Sequence, residues 1–367
     1  MSKSLLARLA APCLSSLLAL NAQAALTEMT DKELSDITGQ ALLTLDGLTY
    51  GGFQYTRLNF GAEIDVLLNM DELRMGEFDR SGLPGLASNQ PADILINNFA
   101  LGRVRNNNNA NATIEPFKIQ DPYIEFAFKV NNQGVREIAG VRLGFGKAMG
   151  YLSGDILSLT GKMQGKIYGP ASLGKDYYMQ QNGLNDFTCI FNINCLALSL
   201  AGDTEVYATV ELLQQGTGNK TLNGVPVNRA THIGIPAGES LQTDATGLIA
   251  SLIPTLTKAS NCSALGLTTC FPLTNYKSIF VGDPSNQNNI NLGGAQGIFF
   301  SLQNQNVPWQ DLANIGQFVE TQRGAFANFA KTGSGANTAY PFVLTLFDAL
   351  RGTAREPTCM GSQAAGC

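Results

Sequence analysis

This chain of 367 residues carries 24 Lys+Arg against 29 Asp+Glu, a formal net charge of −5, with 14% charged and 44% hydrophobic residues. An acidic chain with dispersed charge argues against nucleic-acid binding, which needs a basic footprint, and against electrostatic docking on anionic lipid. The length allows one large or two modest domains with a real core.

Residues 1–24 start with Lys3 and Arg8, continue through a Leu/Ala-rich stretch and end in Ala22-Gln23-Ala24. A basic start, an apolar middle and an A-x-A site are the parts of a cleavable export signal. Removing it leaves 22 Lys+Arg against 29 Asp+Glu, a net charge of −7, and removes Cys13. The apolar run is broken by Arg8 and Pro12, and no other stretch is long enough for a membrane-crossing helix. Lipidation at Cys13 is disfavoured because most of the apolar segment follows that cysteine.

Residues 27–39 predict one short helix. Thr30 and Glu33 form a capping box, Met29 and Leu34 a hydrophobic staple, and Gly39 the stop. The period then changes to two. Leu58, Phe60, Ala62, Ile64 and Val66 alternate as a half-buried strand does, as do residues 94–99 and Ile124, Phe126, Phe128 and Val130. Val141, Leu143, Phe145, Met149 and Tyr151 continue among the glycines at 140, 144, 146, 150, 154, 161, 165 and 169, whose density predicts sheet bends. Further strands are expected over 196–201, 204–213, 277–282, 297–303 and 341–347. A short helix ended by Pro254 is expected over 247–257, and 311–331 reads either as an amphipathic helix or as two strands. Asn106–Asn109 with Asn111, and GTGNKTLNG over 216–224, read as polar turns.

The fold expected is mostly β: a large antiparallel sheet body, sandwich or open barrel-like, with a short N-terminal helix, few other helices, and a β-solenoid as the alternative. The chain divides into a signal peptide over 1–24, a capped helix and lead-in over 25–47, a β-rich body over 48–351 with a subdivision near 216–224, and a disulfide-closed tail over 352–367.

The six remaining cysteines lie in close pairs, Cys189 with Cys195, Cys262 with Cys270, and Cys359 with Cys367. An even count in an exported chain reads as disulfides, each contributing about 2–3 kcal/mol through loop closure. None is C-x-x-C, so they read as loop staples. Six cysteines allow 15 pairings, and crossed connectivity stays open.

Motifs for chemistry are sparse. His232 is the only histidine and reads as a strand-surface residue, so histidine-based triads and zinc sites lack partners. GFGKAMG over 144–150 misses the G-x-G-x-x-G spacing. Glu63 and Asp65 share a strand face, with Asp71 and Glu72 close by, and read as solvated charges rather than a glycosidase pair. Asp283 in GDPSNQNN and the Asn cluster offer oxygen ligands for calcium but match neither an EF-hand nor the calcium nonapeptide. Trp309, Phe299, Phe300, Phe318, Phe326 and Phe329 read as core rather than as a ligand platform. No catalytic, cofactor or metal residue is assigned.

The mature N-terminus ALTEMTDKELSDITGQAL (25–42), together with GVRLGFGKAMGYLSGDI (140–156) and TCMGSQAAGC (358–367), resembles a group of Gram-negative exported proteins that includes the FilA-like pilus-system proteins. The resemblance implies export and association with a surface filament or outer-membrane assembly, and it transfers no catalytic residue. The function expected is therefore that of a non-enzymatic exported envelope or surface protein. It would be structural or adhesive, work in the periplasm, on the outer-membrane surface or outside the cell, and have a protein partner in the envelope or a filament. The alternative is a periplasmic or secreted binder of lipid or another apolar ligand, its sheet curved round a cavity. A hydrolase using carboxylates alone and an outer-membrane barrel are the remaining readings.

Overall fold

Period-two alternation and dense glycine build a chain made mostly of strands. The computed structural model describes residues 43–105 and 112–358. The export signal, the helix over 27–39, the run Asn106–Asn109 with Asn111, and the Cys359 and Cys367 pair lie outside the described residues. Sixteen strands join in one large mixed sheet that does not close.

The first strands are β1 (Leu43–Tyr50), β2 (Phe53–Phe60), β3 (Glu63–Val66), β4 (Leu68–Glu77) and β5 (Ala92–Leu101). The short pair β6 (Arg103–Arg105) and β7 (Thr113–Glu115) leads into β8 (Phe117–Val130), β9 (Arg136–Leu159) and β10 (Gly161–Pro170). β1 already begins within the stretch read as lead-in, and the expected strand over 58–66 is interrupted between β2 and β3.

β9 organises the sheet. At about 3.3 Å per residue its 24 residues would run some 80 Å if straight, long enough to serve two sets of partners. Its first half pairs with β8 and with the strand Phe299–Gln303; its second half pairs with β5 and with Ser278–Val281. The change of partners falls near Gly150, whose φ of +139° suits glycine and where a Cβ would lie 3.0 Å from the Phe117 Cα. The glycines expected to bend the sheet include this one.

β10 adds an arrangement that the antiparallel expectation did not contain. It runs parallel to the strands Gly324–Phe329 and Val343–Thr345 and antiparallel to β11 (Glu205–Leu213). Parallel neighbours require long crossover connections, and here more than 150 residues separate β10 from Gly324. No local residue pattern marks such a pairing, so the sheet is mixed where sequence suggested antiparallel. Beyond β11 follow His232–Gly234 and Cys270–Pro272. Residues 216–224 are turn and short hairpin, and the described residues form one unit without a division there.

Three further expectations change. Residues 196–201 are helical, not extended. The helix over 248–256 continues through Pro254 instead of ending there. Residues 343–345 are strand, but a helix starts at Leu346, capped by Thr345 Oγ1 accepting from the Asp348 N–H at 3.0 Å. The ambiguous stretch 311–331 holds two strands, Phe318–Thr321 and Gly324–Phe329.

The main core lies along β5, β9, β10, β11 and the strands that follow them. A second core sits where the hairpin Val307–Gln310/Phe318–Thr321 covers one face of β2, β8 and β9, around Trp309, Tyr55, Phe299 and Phe326. On β8 the residues under this hairpin are Tyr123, Glu125 and Ala127, while the alternating set Ile124, Phe126 and Phe128 is half-buried on the other face.

Candidate functional site: an apolar cleft beneath stapled helices

Between β10 and β11 the chain leaves the sheet as three helices, α1 (Ala171–Asn182), α2 (Asp186–Cys189) and α3 (Ile193–Ala201). α1 follows Pro170 and stops at Gly183, which takes the left-handed conformation (φ +63°) that favours glycine at a helix end. Asn185 and Thr188 cap α2 reciprocally: the Thr188 N–H donates to Asn185 Oδ1 at 2.9 Å, and the Asn185 N–H to Thr188 Oγ1 at 2.8 Å. Asn192 Oδ1 accepts from the Asn194 and Cys195 amides, both at 3.1 Å, and so starts α3. The Cys189–Cys195 disulfide, with a Cα separation of 5.1 Å, joins α2 to α3.

A fourth helix, α4 (Leu248–Leu256), packs on α3, and a small hairpin (Ser263–Ala264 with Leu267–Thr268) closes the other side. The Cys262–Cys270 disulfide, Cα separation 5.0 Å, ties that hairpin to the sheet strand Cys270–Pro272. Two of the three cysteine pairs expected from sequence form, the third lying outside the described residues, and these two brace the same part of the molecule.

These pieces enclose an apolar cleft with about 90 Å³ of free space. Its floor is sheet (Ile167, Val206, Phe271) with Ile235 just past a strand end, its walls are α3 and α4 (Leu198, Ala201, Ile249, Ile253), and Leu346 and Leu350 complete the lining. Among the described residues no charged side chain lines it, and the polar side chains that do are Thr257, Thr268 and Thr269. Thr257 Oγ1 donates to the Ile253 carbonyl at 2.7 Å, and Thr268 Oγ1 to the Cys270 carbonyl at 3.0 Å. Thr269 is buried and its hydroxyl has no partner among the described residues. Buried hydroxyls are seldom left so; within an apolar cleft one such group can orient a ligand. The free space is smaller than the roughly 150 Å³ cavity known to take up benzene.

The residues singled out from sequence lie elsewhere. His232 is half-buried at the start of its strand, with Nδ1 2.9 Å from Thr231 Oγ1, and burial lowers its pKa. Glu63 and Asp65 are exposed on β3, Asp71 and Glu72 on β4, where Glu72 pairs with Arg74 at 2.8 Å. Asp283 caps a 3₁₀ turn, accepting from the Ser285 N–H at 2.9 Å and from Asn286 Nδ2 at 2.8 Å. Burial raises its pKa, and those hydrogen bonds outweigh burial and hold it below the usual value. No group of three or more Asp, Glu, His or Cys among the described residues is placed to hold a metal. Trp309, Phe299, Phe326 and Phe329 are core; Phe300 packs against the core, and Phe318 stacks on Tyr50 with ring centroids 3.5 Å apart.

Sequence reading missed two buried ionic centres. Asp93, 0% exposed, accepts from Arg80 Nε at 2.6 Å, Arg229 Nε at 3.0 Å and the Ala325 N–H at 2.9 Å. Arg80 Nη2 also reaches the Arg323 carbonyl, and Arg229 Nη1 and Nη2 those of Gln90 and Phe78, while Arg80 Nη1 has no partner among the described residues. The other centre is a row across four strands, Arg57, Glu125, Arg142 and Ser301. Arg142 pairs with Glu125 and lies about 5 Å from the rings of Tyr123, Phe299 and Trp309. Both carboxylates are held by arginines inside packed sheet. The cleft itself had only one mark in the sequence, its cysteines. No family model, curated protein or solved structure matches this chain.

Proposed function

We propose that this chain is an exported, non-enzymatic envelope protein that holds an apolar ligand, the end of an acyl chain, in the cleft between α3, α4 and the sheet. One observation carries the reading: a cleft with no charged lining residue among the described ones is lined by Thr269, whose buried hydroxyl has no partner among them. Apolar walls with one polar anchor suit a lipid carrying one hydroxyl or carbonyl near its buried portion. Two disulfides brace the walls, as an oxidising compartment permits. Against catalysis stand the two buried carboxylates, each committed to arginine and remote from the cleft. No helix among the described residues is long and apolar enough to cross a membrane.

The test is displacement of a dansylated fatty acid from the purified protein, alongside native mass spectrometry for a retained lipid. Gly174 lines the cleft in α1, and a Cβ there meets Leu267 Cδ1 at 3.5 Å and Leu198 Cδ2 at 3.9 Å, both ordinary contacts. Gly174→Leu should fill the space and lower binding roughly tenfold or more without unfolding the protein. Failure of the wild-type protein to bind any fatty acid would sink the reading.

The structural or adhesive reading, with a pilus-like assembly as partner, is favoured by a separate feature. β1 is an edge strand that pairs only with β2 among the described residues, and it exposes Leu43, Leu45 and Tyr50. An open edge accepts a strand from another chain. Crosslinking whole cells through a photoreactive residue at Leu45 should capture a filament subunit if that reading holds.

A further inference from the structure

The α2–α3 segment presents its largest apolar side chains to solvent. Phe187 is 72% exposed, Phe191 79% and Ile193 82%, with Ile190 exposed between them. Chance exposure scatters such residues singly; a cluster marks a contact surface. The cause is local. The Cys189–Cys195 bridge draws both cysteines inward to near-complete burial, which turns the residues between and beside them outward. The Phe187 and Phe191 rings then meet edge to face, centroids 5.5 Å apart.

The exposed surface continues to the cleft. Ile193, Leu196 and Leu200 follow at i, i+3 and i+7 along α3 and share one helix face, and all three are exposed. Leu200 and, on α4, Leu256 both stand in solvent and line the cleft. An apolar stripe of about 10 Å thus joins the tip to the mouth.

Charge selects among occupants. Asp186 is the only charged residue between 186 and 201, and Lys175 Nζ neutralises it at 2.7 Å. A surface so free of charge matches the acyl region of a bilayer and offers nothing to anionic headgroups or to a charged protein partner.

We propose that the stapled α2–α3 tip inserts into the uncharged surface of a lipid bilayer, and that the Ile193–Leu196–Leu200 stripe passes an acyl chain from that surface to the cleft. This rests on the acyl-binding reading above, and the two can fail separately. The full mature protein is sedimented with phosphatidylcholine vesicles at low and high salt, and fatty-acid binding is measured in parallel without vesicles. Expected are vesicle binding that salt does not weaken, a loss of roughly tenfold or more in Phe187→Ser/Phe191→Ser and a smaller loss in Ile193→Ser, with fatty-acid binding retained in both. Wild-type protein that binds fatty acid but ignores vesicles overturns the membrane contact alone. So does binding confined to anionic vesicles at low salt, or a dimer in analytical ultracentrifugation that the Phe187/Phe191 variant dissolves. Vesicle binding without fatty-acid binding removes the cleft reading and leaves the tip as a membrane contact.

Discussion

In the sheet, Asp93 and Glu125 are buried with Arg80, Arg229 and Arg142, each carboxylate held by at least one guanidinium. In the cap, Phe187, Phe191 and Ile193 stand in water while no charged side chain among the described residues lines the cleft below them. Each region contains groups that would be cheaper in the other. Buried ion pairs contribute little net stability because desolvation consumes most of the attraction, yet they penalise every register that separates them. Exposed aromatics contribute nothing to folding and are available for contact. The sheet uses misplaced polarity to define itself, and the cap keeps misplaced apolarity for something outside the chain.

The largest effect should come from breaking one sheet centre. Asp93→Ala leaves two buried guanidiniums without their anion and should cost about 3–5 kcal/mol, read as a lower urea midpoint or loss of soluble protein. The row through Glu125 sharpens the point. Glu125→Gln alone should be strongly destabilising, whereas Glu125→Gln with Arg142→Met should recover much of the loss, and a double-mutant cycle by urea unfolding measures the difference.

Opening the Cys262–Cys270 bridge comes next. Cys262→Ser/Cys270→Ser should cost about 2–3 kcal/mol and lower fatty-acid binding, because that bridge ties the wall hairpin to the sheet. Phe187→Ser/Phe191→Ser should change stability by no more than about 0.5 kcal/mol, since neither ring is buried; a larger fall would return the tip to the core and erase the contrast. Smallest is a pH effect at His232. Burial holds its folded pKa below the ordinary 6.5, so as pH falls through 6.5 the unfolded state takes up the proton first and stability declines until the folded pKa is passed. Between pH 7.5 and 5.5 the fall in Tm should be under about 2 °C, and His232→Gln should remove it.

Much of the sheet was legible. The alternation at 94–99, 124–130, 141–151 and 204–213 places strands where they are found, because side-chain period is a local property. The helices of the cap were not. In 196–201 Leu196, Leu198 and Leu200 alternate as a strand would, but the Asn192 cap and the bridge at Cys195 start a helix. The ionic centres were invisible for a different reason: Asp93 and Arg229 are 136 residues apart, and nothing near either announces the other.

By itself, the sequence determined the β-rich class and the close spacing of the two cysteine pairs that bond here, since each depends on neighbours in the chain. Tertiary structure alone decided the parallel placement of β10 and the pairing of arginines with distant carboxylates. Those depend on which surfaces are left to be covered once the strands have assembled. The cysteines belong to both accounts: their spacing foretold staples, and only the fold showed that both staples brace one cleft.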